Sequence, residues 1–230
     1  MIRSRMILLT LISVIVLSMP LTYAQDLSTY RGFRLGMNLP AAAKQADAKP
    51  SEAKVIYQRP AVIEELEWRP QRSYGSPVQA DPVNVVVLTF YEGELYRILI
   101  SYDQDRTKGL TDEDLIKAIS EKYGTPTMPA AKIVSSSPSQ VYSDSEKVIA
   151  RWEDSQYSFN LFRSSYGSAP GMLIFSKRLD TLAQAAIVQA IRLNEQEAPQ
   201  REIDRQKKED VEKAAAGQKA RPGNKTNFRP

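Results

Sequence analysis

The 230-residue chain contains no cysteine and no histidine. Without them no Ser-His-Asp or Cys-His nucleophile can be assembled, nor any zinc or haem site built on those ligands. Disulfides are excluded as well, so a hydrophobic core must hold the fold, and about 150 structured residues suffice for one. Tryptophan is scarce, at Trp68 and Trp152 only. No cofactor, metal or catalytic residue is expected.

Charge is nearly balanced once the first residues are set aside. "MIRSR" supplies two arginines, "MILLTLISVIVLSMPL" is apolar, and "TYA" brings small residues before Gln25. That is the layout of a signal peptide over residues 1–24. The apolar run is short for the roughly 20 residues of a spanning helix, although retention as an uncleaved anchor is the alternative. No cysteine follows for lipid attachment. The expectation is a periplasmic or secreted chain from Gln25 onward, with no membrane span after cleavage. Removing Arg3 and Arg5 lowers the formal charge from +4 to +2. The excess lies in "GQKARPGNKTNFRP", 217–230, where Lys219, Arg221, Lys225 and Arg229 stand without an acid. The high pI therefore describes a tail, suited to weak contact with an anionic surface, and no specific nucleic-acid partner is expected.

Hydrophobic patterning divides the rest. "NLPAAAKQADA" predicts a weak helix with Asn38 as N-cap and Pro40 in its first turn. "VIEELEW", 62–68, alternates as a strand, and 69–82 is a Pro/Gly/Ser-rich loop. "VVVLTFYEGELYRILISYD", 85–103, predicts a hairpin around Glu92-Gly93. Strict alternation puts Val85, Val87, Ile98 and Ile100 on one face, and Val86, Leu88, Phe90, Leu95 and Leu99 on the other. "LTDEDLIKAISEKYGTP", 110–126, predicts a helix capped by Thr111 and Asp114, with a stripe of Leu115, Ile116, Ile119 and Tyr123, stopped at Gly124. A short strand in 131–134 and strands at 147–153, 156–162 and 171–178 follow.

The order helix, strand with a Trp, strand, strand occurs twice. It implies two α-β-β-β units, 25–105 and 106–180, with Trp68 and Trp152 in matching places; one undivided α+β domain is the alternative. The fold class is α+β: one antiparallel sheet with helices on one face, the hairpin supplying central strands. A C-terminal helix over 181–198 is capped by Asp180 or Thr181. Leu182, Ala186, Ala190 and Leu193 or Ile191 turn inward, and Pro199 ends it. Residues 199–230 then form a polar, solvated helix running into a disordered basic tail. The second sheet face is either lined by the C-terminal helix or open to a partner, with Trp68, Tyr91, Tyr102, Trp152 and Tyr157 as candidate protein-binding aromatics.

"YRGFRLGMNLPAAAKQ", "TKGLTDEDLIKAISEKYGTP" and "FYEGELYRI" resemble the helix starts and sheet hairpin of small secreted bacterial domains. That layout is similar to the β-lactamase-inhibitor-protein fold and to the small outer-membrane assembly lipoproteins. Over residues 28–178 the resemblance implies a two-layer fold whose open sheet face binds other proteins. The chain lacks the lipidated cysteine of the lipoproteins and the disulfides of the inhibitors, so neither specific function is implied.

Three constellations have bland readings beside the chemical ones. "SEAK", 51–54, matches Ser-x-x-Lys but lacks the partner motifs. "DQDRTKGLTDED", 103–114, places Asp103, Asp105 and Thr107 as in a calcium loop, yet position six is Lys108 and position twelve Asp114. "EELEW" offers Glu64, Glu65 and Glu67, and glycosidase work would need two acids in one cleft. The expectation is an exported, non-enzymatic protein whose sheet face binds a protein or an envelope component. A structural envelope protein without a ligand, and a carboxylate hydrolase, are the alternatives.

Overall fold

The computed structural model describes residues 26–70, 81–129, 146–164, 169–227 and 229. The loop expected at 69–82 lies mostly outside the described residues, and the strand expected at 131–134 wholly so. The chain folds as α+β. A small hairpin, β1 (Thr29–Tyr30) and β2 (Phe33–Arg34), leads into α1 (Leu39–Gln45). Asn38 caps that helix, its side chain accepting from the Ala41 N–H at 2.9 Å. Next come β3 (Lys54–Tyr57), β4 (Ile63–Trp68), β5 (Val83–Tyr91) and β6 (Glu94–Tyr102). A single turn, α2 (Gln104–Thr107), precedes α3 (Asp112–Tyr123). Then follow β7 (Met128–Pro129), β8 (Glu146–Glu153), β9 (Tyr157–Ser164), β10 (Pro170–Ser176) and α4 (Lys177–Asn227).

Eight strands form one sheet in the order β3-β4-β5-β6-β10-β9-β8-β7. Every pairing in it is antiparallel. The β4 strand, ending at Trp68, and the β8 strand, carrying Trp152, each lie second from an edge. Helices α1 and α3 cover one face, which we call the inner face. Ala42, Ala43 and Tyr123 are buried there against Leu66, Val86, Leu88, Ile98, Phe159 and Ile174, and Leu115, Ile116 and Ile119 pack against the same core. The α3 start is a reciprocal cap: Thr111 Oγ1 accepts from the Asp114 N–H at 3.2 Å, and Asp114 Oδ2 accepts from the Thr111 N–H at 3.0 Å. Gly124 follows with φ 71°, which a Cβ-bearing residue disfavours.

Strict alternation fails in the second strand of the hairpin. Glu92 and Gly93 make its tight turn with φ 51° and 79°. Phe90 then pairs with Leu95 but Thr89 pairs with Arg97, leaving Tyr96 as an extra residue. This β-bulge reverses parity beyond it. Ile98 and Ile100 therefore join Val86, Leu88, Phe90 and Leu95 in the inner core. Leu99, expected beside Val86 and Leu88, instead pairs with Val87 and shares its outer face.

The expectations for the C-terminal helix also change. It starts at Lys177, directly after β10, and continues through Pro199 and Pro222 to Asn227. Pro199 does not end it, and the polar helix expected after it extends to Asn227, into the stretch expected as a disordered tail. A proline in a helix interior costs about 3 kcal/mol by losing one N–H and crowding the turn before it, so the flanking ladder outweighs each. The inward face is Leu179, Asp180, Ala183, Ala186 and Ala190. Leu182 and Ile191 are both 44% exposed and point away from the body.

Candidate interaction surface

The outer face of the sheet is crossed by α4. Leu179 and Ala183 pack on Ile63 and Tyr96, with Tyr57, Tyr91 and Ile187 around them. Farther along, Glu197 pairs with Arg59 at 2.7 Å, just beyond the edge strand β3. The helix therefore runs from the centre of the sheet across β6, β5 and β4 to that edge. Its alanines set the contact: small side chains let the helix backbone lie close to the sheet, and the aromatic bulk comes from the strands.

One polar contact is buried beneath it. The bulge turns both Tyr96 and Arg97 outward. The Arg97 guanidinium donates to the Asp180 carboxylate and sits 5.2 Å from the centre of the Tyr96 ring. Asp180, expected as a cap, is thus a buried ion-pair partner whose side chain is 7% exposed. The Tyr96 hydroxyl has no hydrogen-bond partner among the described residues, and burial pushes its pKa up to about 12. Sequence reading missed this pair because only the bulge brings Arg97 to the outer face.

The five candidate aromatics do not form one surface. Trp152 is 1% exposed in the inner core, its indole N–H donating to the Gly124 carbonyl at 2.6 Å. Trp68 lies half-buried on the same side, edge-on to Phe33 with centroids 5.2 Å apart. Tyr102 and Tyr157 also pack against the inner core. Tyr91 alone is on the outer face, half-buried beside α4. Among the described residues no Trp, Tyr or Phe is exposed, so the expected open aromatic patch is replaced by aromatics packed between sheet and helices. Beyond α4 the outer face presents Val85, Val87, Leu99 and Phe175, all half-buried.

None of the three chemical constellations assembles a site among the described residues. Glu64 pairs with Phe90 and Glu65 with Thr89 across β4 and β5, which puts the two carboxylates on opposite faces. Asp103 accepts from the Asp105 and Arg106 N–H groups at 3.0 and 3.3 Å, as a helix cap. Ser51 lies in a one-turn 3-10 helix (Pro50–Glu52), and Lys54 begins β3. A cleft of about 350 Å³ separates the β2–α1 connection from the start of α4, lined by Leu35, Gly36, Glu94, Tyr157 and Arg178 among others. It brings one acid and one base together, not two acids.

What stands clear of the body is the second part of α4. Every residue from Ala198 to Asn227 is exposed, and at 1.5 Å per residue the segment 199–227 reaches roughly 45 Å. Its side-chain bonds stay on α4: Arg205 pairs with Glu202 at 2.8 Å and with Glu209 at 3.3 Å, Gln200 donates to Asp204 at 2.9 Å, and Arg201 donates back to the Asn194 carbonyl at 2.7 Å. Such pairs contribute about 0.2–0.5 kcal/mol each. No helix among the described residues is long and apolar enough to cross a membrane.

No protein-family model, curated protein or solved structure matches this chain.

Proposed function

We propose that this is an exported, non-enzymatic binding protein, a compact head carrying a helical extension with which it engages a protein or another envelope component. The carrying observation is the division of α4: residues 179–190 pack on the sheet, whereas 198–227 are wholly exposed. A helix polar on all sides bridges through solvent or is held by its own i,i+4 pairs, as Arg205 with Glu209 is here, and in either case its surface is available to a partner. Export is supported by the leader layout of residues 1–24. The resemblance to tandem α-β-β-β binding domains agrees in class, and the positions of Trp68 and Trp152 on strands second from opposite edges agree with a duplicated unit. The separation of Glu64, Glu65 and Asp103 speaks against a carboxylate hydrolase.

The test compares chain 25–230 with chain 25–198 in co-sedimentation with envelope fractions. The two should melt within about 1 °C of each other, because every described residue of the removed segment is exposed. Only the longer chain should sediment. Equal sedimentation of both, or of neither, overturns the proposal.

A further inference from the structure

We infer that the distal part of α4 and the residues after it, 213–229, form an anionic-lipid docking segment that holds the head away from the surface. The inference rests on the proposal of an exported chain with a binding extension, and it names the partner. After Glu212 the sequence contains Lys213, Lys219, Arg221, Lys225 and Arg229 and no acid. With +2 on residues 25–230, those five cations leave −3 on residues 25–212. The charge is therefore segregated by sign along the molecule.

Geometry makes that segregation usable. All five basic residues are exposed, and among the described residues none makes an ion pair, in contrast to Arg205 between Glu202 and Glu209. They begin roughly 20 Å along the roughly 45 Å extension, about two Debye lengths of 8–10 Å from the head, and continue to its far end. The negative head neither neutralises them nor repels the surface they approach. Each basic side chain at an anionic leaflet raises affinity roughly fivefold. A duplex nucleic acid is the weaker fit, because the segment has one aromatic residue, Phe228, and the head has no matching excess of positive charge.

The experiment sediments chain 25–230 with vesicles rich in phosphatidylglycerol and with phosphatidylcholine vesicles, at low and high salt. A variant with Lys213, Lys219, Arg221, Lys225 and Arg229 all changed to Gln serves as comparison, its melting temperature confirming an intact head. Binding should require phosphatidylglycerol, fall with salt, and weaken roughly a thousandfold or more in the variant, about fivefold for each of the five cations removed. Emission from Trp68 and Trp152 should not shift on binding, since both remain in the head. Equal binding to both vesicle types, an unweakened variant, a tryptophan shift, or tighter binding to a DNA duplex at the same salt would each overturn the inference. If vesicles fail but envelope sedimentation still needs residues 199–230, the partner is not lipid and the proposed function stands.

Discussion

Arg97 and Asp180 form a buried ion pair between a bulged strand and the first turn of α4, with side chains 15% and 7% exposed. Removing one partner strands the other charge in a site with little water. Asp180→Ala is expected to destabilise the head by about 3–5 kcal/mol. Arg97→Met with Asp180→Leu should recover most of that loss, since the pair is then replaced by apolar volume. Urea denaturation of the two variants checks both; equal losses would show that the pair does not act as a unit.

Trp152 and Trp68 have similar strand positions but different burial, and their substitutions should separate. Trp152→Phe leaves the Gly124 carbonyl without its donor at the end of α3 and should lose about 1–3 kcal/mol. Trp68→Phe, at a half-buried edge-on contact with Phe33, should lose less than about 1 kcal/mol. Thermal melts of the two variants report the difference.

Gly171 is held by its neighbour. A Cβ built there would lie 2.3 Å from the Phe162 ring, on the strand paired beside it. Gly171→Ala should therefore destabilise by about 1–3 kcal/mol through overpacking. In a Phe162→Leu background Gly171→Ala should cost less, a coupling that a double-mutant cycle reads directly.

Alkaline titration should unfold the head early. Burial raises the Tyr96 and Tyr123 phenols to about 12 from 10.0. Because the folded values lie above the unfolded ones, their contribution is fully present below pH 10 and is lost as pH rises through about 12. Tyr96→Phe should flatten that decline and cost little at neutral pH, since the hydroxyl it removes has no partner among the described residues. Melting temperature against pH for both proteins is the measurement.

Helix starts and the tight turn were legible because they are local. Asn38, Thr111 with Asp114, and Glu92-Gly93 act within three residues of themselves, so their chemistry is written in adjacent letters. The stripe Leu115, Ile116, Ile119 and Tyr123 was equally readable, as was the antiparallel α+β class. The parity of β6 was not. A bulge at Tyr96 has no necessary spelling, and one inserted residue moved Ile98, Ile100 and Leu99 to the faces opposite those that alternation assigns. The orientation of α4 was also hidden. Hydrophobicity favours Leu182 and Ile191 inward, whereas the tight approach to Tyr96 and Ile63 selects the alanine face.

The sequence by itself determined the absence of thiol and imidazole chemistry, the caps and turns, and the concentration of positive charge after Glu212. These depend on residue identity or on neighbours a few positions apart. Only the tertiary structure decided that Arg97 meets Asp180, that the candidate aromatics are packed rather than presented, and that α4 leaves the head at the β3 edge. Those outcomes depend on which distant surfaces fit once the bulge has set the faces of the sheet, and packing between segments 83 residues apart leaves no periodic mark in either one.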